Sequence, residues 1–202
     1  MPETIRPFHP SDLPALYRVC LLTGEVGGDA TSLYRDPDLL GHLYAGPYPV
    51  ADPGLTFVVQ DELGMAGYIV ATADTHRFER WLDTSWFPVL REDHPLLADP
   101  GDGSQDHVLV RRLHEPMPTE LPLFRAFPAH MHIDLLPRAQ GRGLGRRLID
   151  TLSAALRERG VPGMHLGVDD RNRGAIAFYE RMGFTLADAH GWGRTLTLDL
   201  TR

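Results

Sequence analysis

One stretch, residues 129–148, constrains the chain more than any other. Ala129, His130, Met131, His132, Ile133, Asp134 and Leu135 alternate as a short strand does, and Pro137, which lacks an N–H, stops the ladder. Gly141, Gly143 and Gly145 follow, and glycine lets backbone approach a ligand without a side-chain clash. Leu144, Leu148, Ile149, Leu152, Ala155 and Leu156 then recur with a helical period. A glycine-rich turn that opens a helix leaves backbone N–H groups unpaired at the positive end of the dipole, which suits an anion. Arg138, Arg142, Arg146 and Arg147 crowd the same turn. The dipole disfavours cations there, so their placement makes sense around a multiply charged anion.

The kind of anion site can be narrowed. A P-loop needs Gly-Lys-Ser/Thr, and the chain contains no lysine. A dinucleotide fingerprint needs G-x-G-x-x-G after a first strand, whereas these glycines run G-x-G-x-G late in the chain. Gln140, Gly141, Arg142, Gly143, Leu144 and Gly145 instead resemble the acetyl-CoA signature Q/R-x-x-G-x-G/A of the GNAT acetyltransferases.

A second motif follows at a suitable distance. Asn172, Ala175, Phe178, Tyr179, Gly183 and Phe184 match the N-x-x-A-x-x-F-Y-x-x-x-G-F hallmark of the same family. Asn172, Ala175, Ile176 and Tyr179 stand at i, i+3, i+4 and i+7, so they share one helix face along which an elongated ligand can lie. Phe178 and Met182 adjoin it as core. A narrower resemblance is carried by residues 4–7, by Gly67 and Tyr68 through Asp74, and by residues 85–88. These are similar to the acetyltransferase-like C-terminal domain of O-GlcNAcase and its bacterial stand-alone relatives.

Bulk properties fit a specific anion site better than a broad basic face. The 202 residues carry a net charge of −7, which argues against general nucleic-acid affinity. All 20 basic residues are arginine, so the protein has no lysine of its own to acetylate. Cys20 is the only cysteine and lies in an apolar run, as a core residue. With no intrachain disulfide, no signal peptide and no membrane-length apolar run, a cytoplasmic setting is expected.

In chain order, the pattern predicts a strand over 4–8 and a helix to about residue 22, capped by Ser11 or Asp12. A loop over 23–32 leads to a second helix over 36–44, with Asp36 as its cap. Residues 46–54 read as irregular, and 55–60 and 65–75 as a hairpin. Segment 76–128 is expected to be an insertion packed over the sheet as a lid. Its helices fall at about 76–83 and 105–114, with a mobile tip at 100–104. From Asp74 to Pro128 there are ten acidic residues and six arginines, a balance that suits a cationic substrate and equally a solvated loop. A strand over 163–168, a helix over 174–182 ended by Gly183, and a hairpin of 184–189 with 195–200 close the chain.

The resemblance implies an α/β (α+β) GNAT fold in one domain, residues 1–202. Its mixed, mostly antiparallel sheet has about six or seven strands, splayed between the fourth and fifth. It implies acetyl-CoA as cofactor, CoA as product, and direct attack by the amine of an acceptor that the sequence does not name. It places cofactor contacts at Ile133, Asp134, Leu135, Arg138, Gln140, Gly141, Arg142, Gly143, Leu144, Gly145, Arg146, Asn172, Ala175, Phe178 and Tyr179. Backbone N–H and C=O groups of the 131–136 strand serve the pantetheine arm, and one near 133–135 serves the oxyanion. Tyr179 stands near the sulfur as proton donor. For the base, Asp74, Asp134, Asp169 and His132 remain open. His130 and His132 share a strand face, a spacing that can ligate metal, but no third ligand is evident and the family uses none. A homodimer through the terminal hairpin is a family habit. The competing reading is a catalytically weak acetyl-CoA-binding module that recruits a partner.

Overall fold

The computed structural model describes residues 3–96, 98, 103–115 and 122–201. Its strands are β1 (Thr4–Pro7), β2 (Thr56–Asp61), β3 (Gly64–Thr72), β4 (Ala129–Leu135), β5 (Gly163–Asp169), β6 (Thr185–Ala189) and β7 (Gly193–Asp199). They form one seven-stranded sheet in the order β1-β2-β3-β4-β5-β7-β6. Every neighbouring pair is antiparallel except β4 with β5. This is the mixed, mostly antiparallel sheet implied by the two motifs.

Helices cover both faces. On one side lie α8 (Leu144–Glu158) and α9 (Arg173–Arg181). Leu148, Ile149, Leu152 and Leu156 of α8 are buried against Ile69 and Ala71 of β3 and Met131 of β4. The helical period read in 144–156 is therefore the stripe that seats α8 on the sheet. On the other side lie α1 (Leu13–Thr23), α2 (Leu39–Tyr44), α3 (Pro47–Ala51), α4 (Thr75–Trp81), α5 (Phe87–Asp93) and α6 (Asp106–His114), followed by the short α7 (Leu123–Ala126). Leu16, Leu39, Tyr48, Phe78, Phe87 and Leu113 pack there with Tyr68 and Val70 of β3. A strand buried on both faces needs apolar residues at successive positions, which explains the unbroken apolar run of β3.

Several helix starts differ from the sequence reading, each for a local reason. Asp12 does not cap α1: its carboxylate accepts from Arg6 Nη1 and Nη2 at 2.7 and 2.8 Å and from the His9 N–H at 2.8 Å. A bidentate ion pair with a guanidinium outcompetes a single bond from a backbone N–H. Ser11 does not cap it either; its own N–H donates to His9 Nδ1 at 3.3 Å. Asp36 accepts from the Asp38 N–H at 2.9 Å, closing a turn on itself, and α2 begins only at Leu39. Segment 46–54 is not wholly irregular, because Pro47 opens α3 and Tyr48 is buried by it. Strand β3 stops at Thr72, since Asp74 caps α4 by accepting from the Arg77 N–H at 2.9 Å. Helix α4 continues through a π turn (Leu82–Trp86) into α5. Pro88, which has no N–H to give back, lies just beyond that turn. Most of the expected 100–104 tip lies outside the described residues.

Gly67 lets β3 sit tightly against β4, where a Cβ would stand 2.6 Å from the Asp134 carbonyl oxygen. That oxygen is backbone and cannot swing aside. Gly67→Ala is expected to destabilise the fold by about 1–3 kcal/mol, read as a lowered urea midpoint with unchanged slope.

Candidate active site

The site is built on a strand that loses its neighbour. Strand β4 pairs with β5 at only two positions, Ala129 with Met164 and His130 with His165. Beyond His130 the two diverge, so the β5-facing edge of Met131 to Leu135 has no strand to bond. Such an edge is a template for an extended, amide-bearing ligand.

The glycine turn lies just past the end of β4. Gly141 and Gly143 have φ of 69° and 75°, and a Cβ on either would meet nothing within 4 Å. Gly143 is the N-cap of α8 and makes no side-chain cap bond, so the first N–H groups of a fifteen-residue helix are left to a ligand. Gly145 serves differently. Its Cβ position lies 3.1 Å from Phe178 Cζ and 3.6 Å from Leu135 Cδ1, so it closes α8 onto α9 and β4. Leu144 is core beside it.

The arginines divide as well. Arg138 Nε donates to Asp61 at 2.7 Å and Nη2 to the Met65 carbonyl at 2.9 Å, tying the turn to the β2–β3 hairpin. Arg142 pairs with Glu3. Arg146 is exposed, and no described residue pairs with its guanidinium. Gln140 Nε2 donates to the Leu135 carbonyl at 2.8 Å and holds the turn against the strand end.

Across the opening stands α9. Asn172 Oδ1 caps it, accepting from the Ala175 N–H at 3.0 Å. Tyr179 is 8% exposed, and its ring packs 5.4 Å from both Phe178 and Phe184. Burial raises the Tyr179 phenol above its usual range, and the Asp134 charge pushes it further.

The polar face of β4 carries His130, His132 and Asp134. Both ring nitrogens of His130 are engaged: Nε2 with the Tyr48 hydroxyl at 2.8 Å and Nδ1 with Thr75 Oγ1 at 2.7 Å. The His-x-His pair is thus part of an aromatic layer with Tyr44 and Tyr48. Burial, with the nearby His165 second, drops His132 to about 4, so its ring is neutral at physiological pH. Asp134 accepts from the Tyr68 hydroxyl at 2.6 Å. Burial lifts its carboxyl to about 6, although the Tyr68 bond pulls the other way. The remaining base candidates are otherwise occupied. Asp74 is exposed and caps α4. Asp169 is held below the usual carboxylate range by Arg171, whose Nη2 lies 2.8 Å away.

One feature escaped the sequence reading. Glu79 of α4 faces a cavity of about 200 Å³ whose walls include Tyr44, Tyr48, Phe78, His130 and His132. Its signal was legible: Thr75, Phe78, Glu79 and Leu82 stand at i, i+3, i+4 and i+7, so a carboxylate interrupts an apolar helix stripe.

The raised Asp134 makes a sign-definite prediction. Its folded carboxyl sits above the unfolded value of 3.8, so its stabilising share is present below that value and lost as pH rises through about 6. Asp134→Asn is expected to stabilise the fold by about 1–3 kcal/mol at pH 8 and by little at pH 3, measured by urea unfolding at both.

Comparison with known proteins agrees with this geometry. The profile of the Acetyltransferase (GNAT) family matches residues 120–184, which span β4, the glycine turn, α8, β5 and α9. The crystal structure of SsHAT superposes with a TM-score of 0.91 at 37% identity, covering 100% of both chains. Protein O-GlcNAcase of Rattus norvegicus is 25% identical over 199 residues, 96% of this chain and 21% of that protein. The chain therefore spans about a fifth of the length of such curated relatives. YncA from Salmonella typhimurium, solved with its cofactor acetyl-CoA, superposes at a TM-score of 0.58 and 17% identity over 99% of this chain and 95% of that one. Among the described residues no helix is long and apolar enough to cross a membrane. With the split sheet, the glycine-capped helix and the matched profile together, the chain belongs to the GNAT acetyltransferase family.

Proposed function

We propose that the chain is an acetyl-CoA-dependent N-acetyltransferase in which an acceptor amine attacks the thioester directly. The observation that carries this reading is geometric: the edge of β4 left without a strand beyond His130, beside a helix start that carries no side-chain cap. Asp134 on β4 adds an ionisable carboxyl, and its charge bears on the buried Tyr179 of α9. Acetyl-CoA supplies the activated acetyl group. The residues fit it, since the open space around Gly141 and Gly143, the uncapped start of α8 and the exposed Arg146 suit a pyrophosphate. The free edge of β4 at Ile133 to Leu135 suits the amides of the pantetheine arm. Gln140, Leu144, Gly145, Ala175 and Phe178 support this surface by the packing and hydrogen bonds described above. A cytosolic setting, where the buried Cys20 thiol stays reduced, suits the same chemistry.

The two ionisable groups are in the right states at neutral pH. Asp134, near 6, is mostly ionised and can take a proton from the incoming amine. Tyr179, raised by burial, keeps its proton and can pass it to the leaving thiolate. Environments that push an acid and a base apart mark such assignments. The backbone N–H groups of Ile133 to Leu135 offer donors for the developing oxyanion.

The first test is calorimetric titration of acetyl-CoA and CoA into the wild type and Gly143→Trp, which fills the open approach to α8. Binding by the wild type alone is expected. Thiol release with an amine panel then separates enzyme from binding module, because a binding module holds acetyl-CoA and releases no CoA. Tyr179→Phe is expected to lower the transfer rate by about 10²–10⁴. The wild-type kcat/KM is expected to rise with pH through about 6, and Asp134→Asn to remove that limb. An unchanged rate in Tyr179→Phe removes it from the mechanism.

A further inference from the structure

The aromatic cavity beneath α4 contains a carboxylate oxygen with nothing to bond. Glu79 Oε2 is buried and has no hydrogen-bond partner among the described residues. An unpaired buried carboxylate oxygen is costly, and its persistence calls for a donor that arrives from outside. Arg112 borders the same cavity, yet its guanidinium is drawn to Glu115 at 3.2 Å. The other basic groups lining this cavity, His130 and His132, are neutral imidazoles held so by burial. Arg112 acts on Glu79 through charge at a distance, and no described cation hydrogen-bonds its Oε2.

The cavity's position matters as much as its chemistry. Glu79, His130 and His132 also line a second cavity of about 140 Å³, whose far wall is His165, Leu166 and Gly167 of β5. That second space lies at the point where β4 and β5 part. Glu79 thus stands in the wall shared by an aromatic pocket and the catalytic opening. We propose that this pocket is the acceptor site, that Glu79 is its specificity-determining residue, and that it selects a dicationic amine.

The chemistry of the pocket explains why two amino groups are needed. A carboxylate beside the rings of Tyr44, Tyr48, Phe78 and Phe87 stabilises an ammonium, by charge and by cation–π attraction. An ammonium held there keeps its proton and cannot attack a thioester. The nucleophile must be a second amine on the same molecule, carried toward Asp134. His132 and Asp134 are two residues apart on β4, roughly 7 Å along the strand. A linear alkyl spacer crosses that distance. Burial has raised the Glu79 carboxyl to about 7, against the pull of Arg112, and an ammonium at Oε2 lowers it again. The acidic balance of residues 74–128 favours the approach of such a cation.

This proposal rests on the acetyltransferase reading, and the test keeps the two apart. A linear pentanediamine and pentylamine are titrated calorimetrically into the protein, with and without saturating CoA, for wild type and Glu79→Gln. The substitution is isosteric and breaks no existing hydrogen bond at Oε2, so the fold and CoA affinity are expected to persist. The diamine is expected to bind the wild type about tenfold more tightly than the monoamine, and Glu79→Gln to abolish that preference. Equal affinity for the two amines, or an unchanged preference in Glu79→Gln, overturns the proposal. A preserved diamine preference with no CoA binding supports the pocket assignment and overturns the acetyltransferase reading instead.

Discussion

Two residue pairs hold β4 to β5, and the rest of the site depends on how few they are. A parallel pair that continued along both strands would satisfy the backbone of Met131 to Leu135 and leave no edge for a ligand. The divergence after His130 exposes that edge, and the sheet survives it because β4 is held elsewhere. On its other side β4 pairs with β3 from Thr72–His130 to Gly67–Leu135, with Gly67 permitting close contact. Beneath it, the apolar stripe of α8 seats on Met131 and its neighbours. The opening is therefore a gap in a well-supported strand, with both walls fixed by packing.

The glycine turn and the arginines show how one motif divides its labour. Gly141 and Gly143 adopt positive φ and face open space, which is what close approach to an anion requires. Gly145, the second residue of α8, meets Phe178, so its missing side chain allows α8 and α9 to touch. Arg138 and Gln140 brace the turn against β2–β3 and the end of β4. The motif therefore encodes both an open backbone surface at the helix start and the joints that hold this surface in place.

The polar face of β4 is graded from inert to reactive. His130 is locked by Tyr48 and Thr75 and is a spacer between aromatic rings. His132 is kept neutral by burial. Asp134 is buried enough to be lifted toward neutrality, yet its bond to Tyr68 keeps it ionisable. Glu79, across the cavity, is lifted to about 7 by burial, and its Oε2 has no hydrogen-bond partner among the described residues. The same strand that leaves one backbone edge unpaired thus turns these side chains toward the aromatic cavity.

Much of this was legible in the residues. The helical period from Leu144 to Leu156, the strand broken by Pro137 and the two spaced motifs determined the fold family and the open glycine turn at the start of α8, because local geometry and close approach depend on residue type at short range. Local competition was harder to read: Asp12 and Asp36 looked like caps, but one was taken by Arg6 and the other closed its own turn. What distinguishes Asp74, Asp134, Asp169 and His132 from one another, their burial and their partners, was set only by the tertiary structure. Their ionisation depends on burial and on partners brought from distant segments, such as Tyr68 for Asp134. Glu79 became part of a site only when α4 laid it beside His130 and His132, about fifty residues away in sequence, since a cavity exists between elements and in none of them alone.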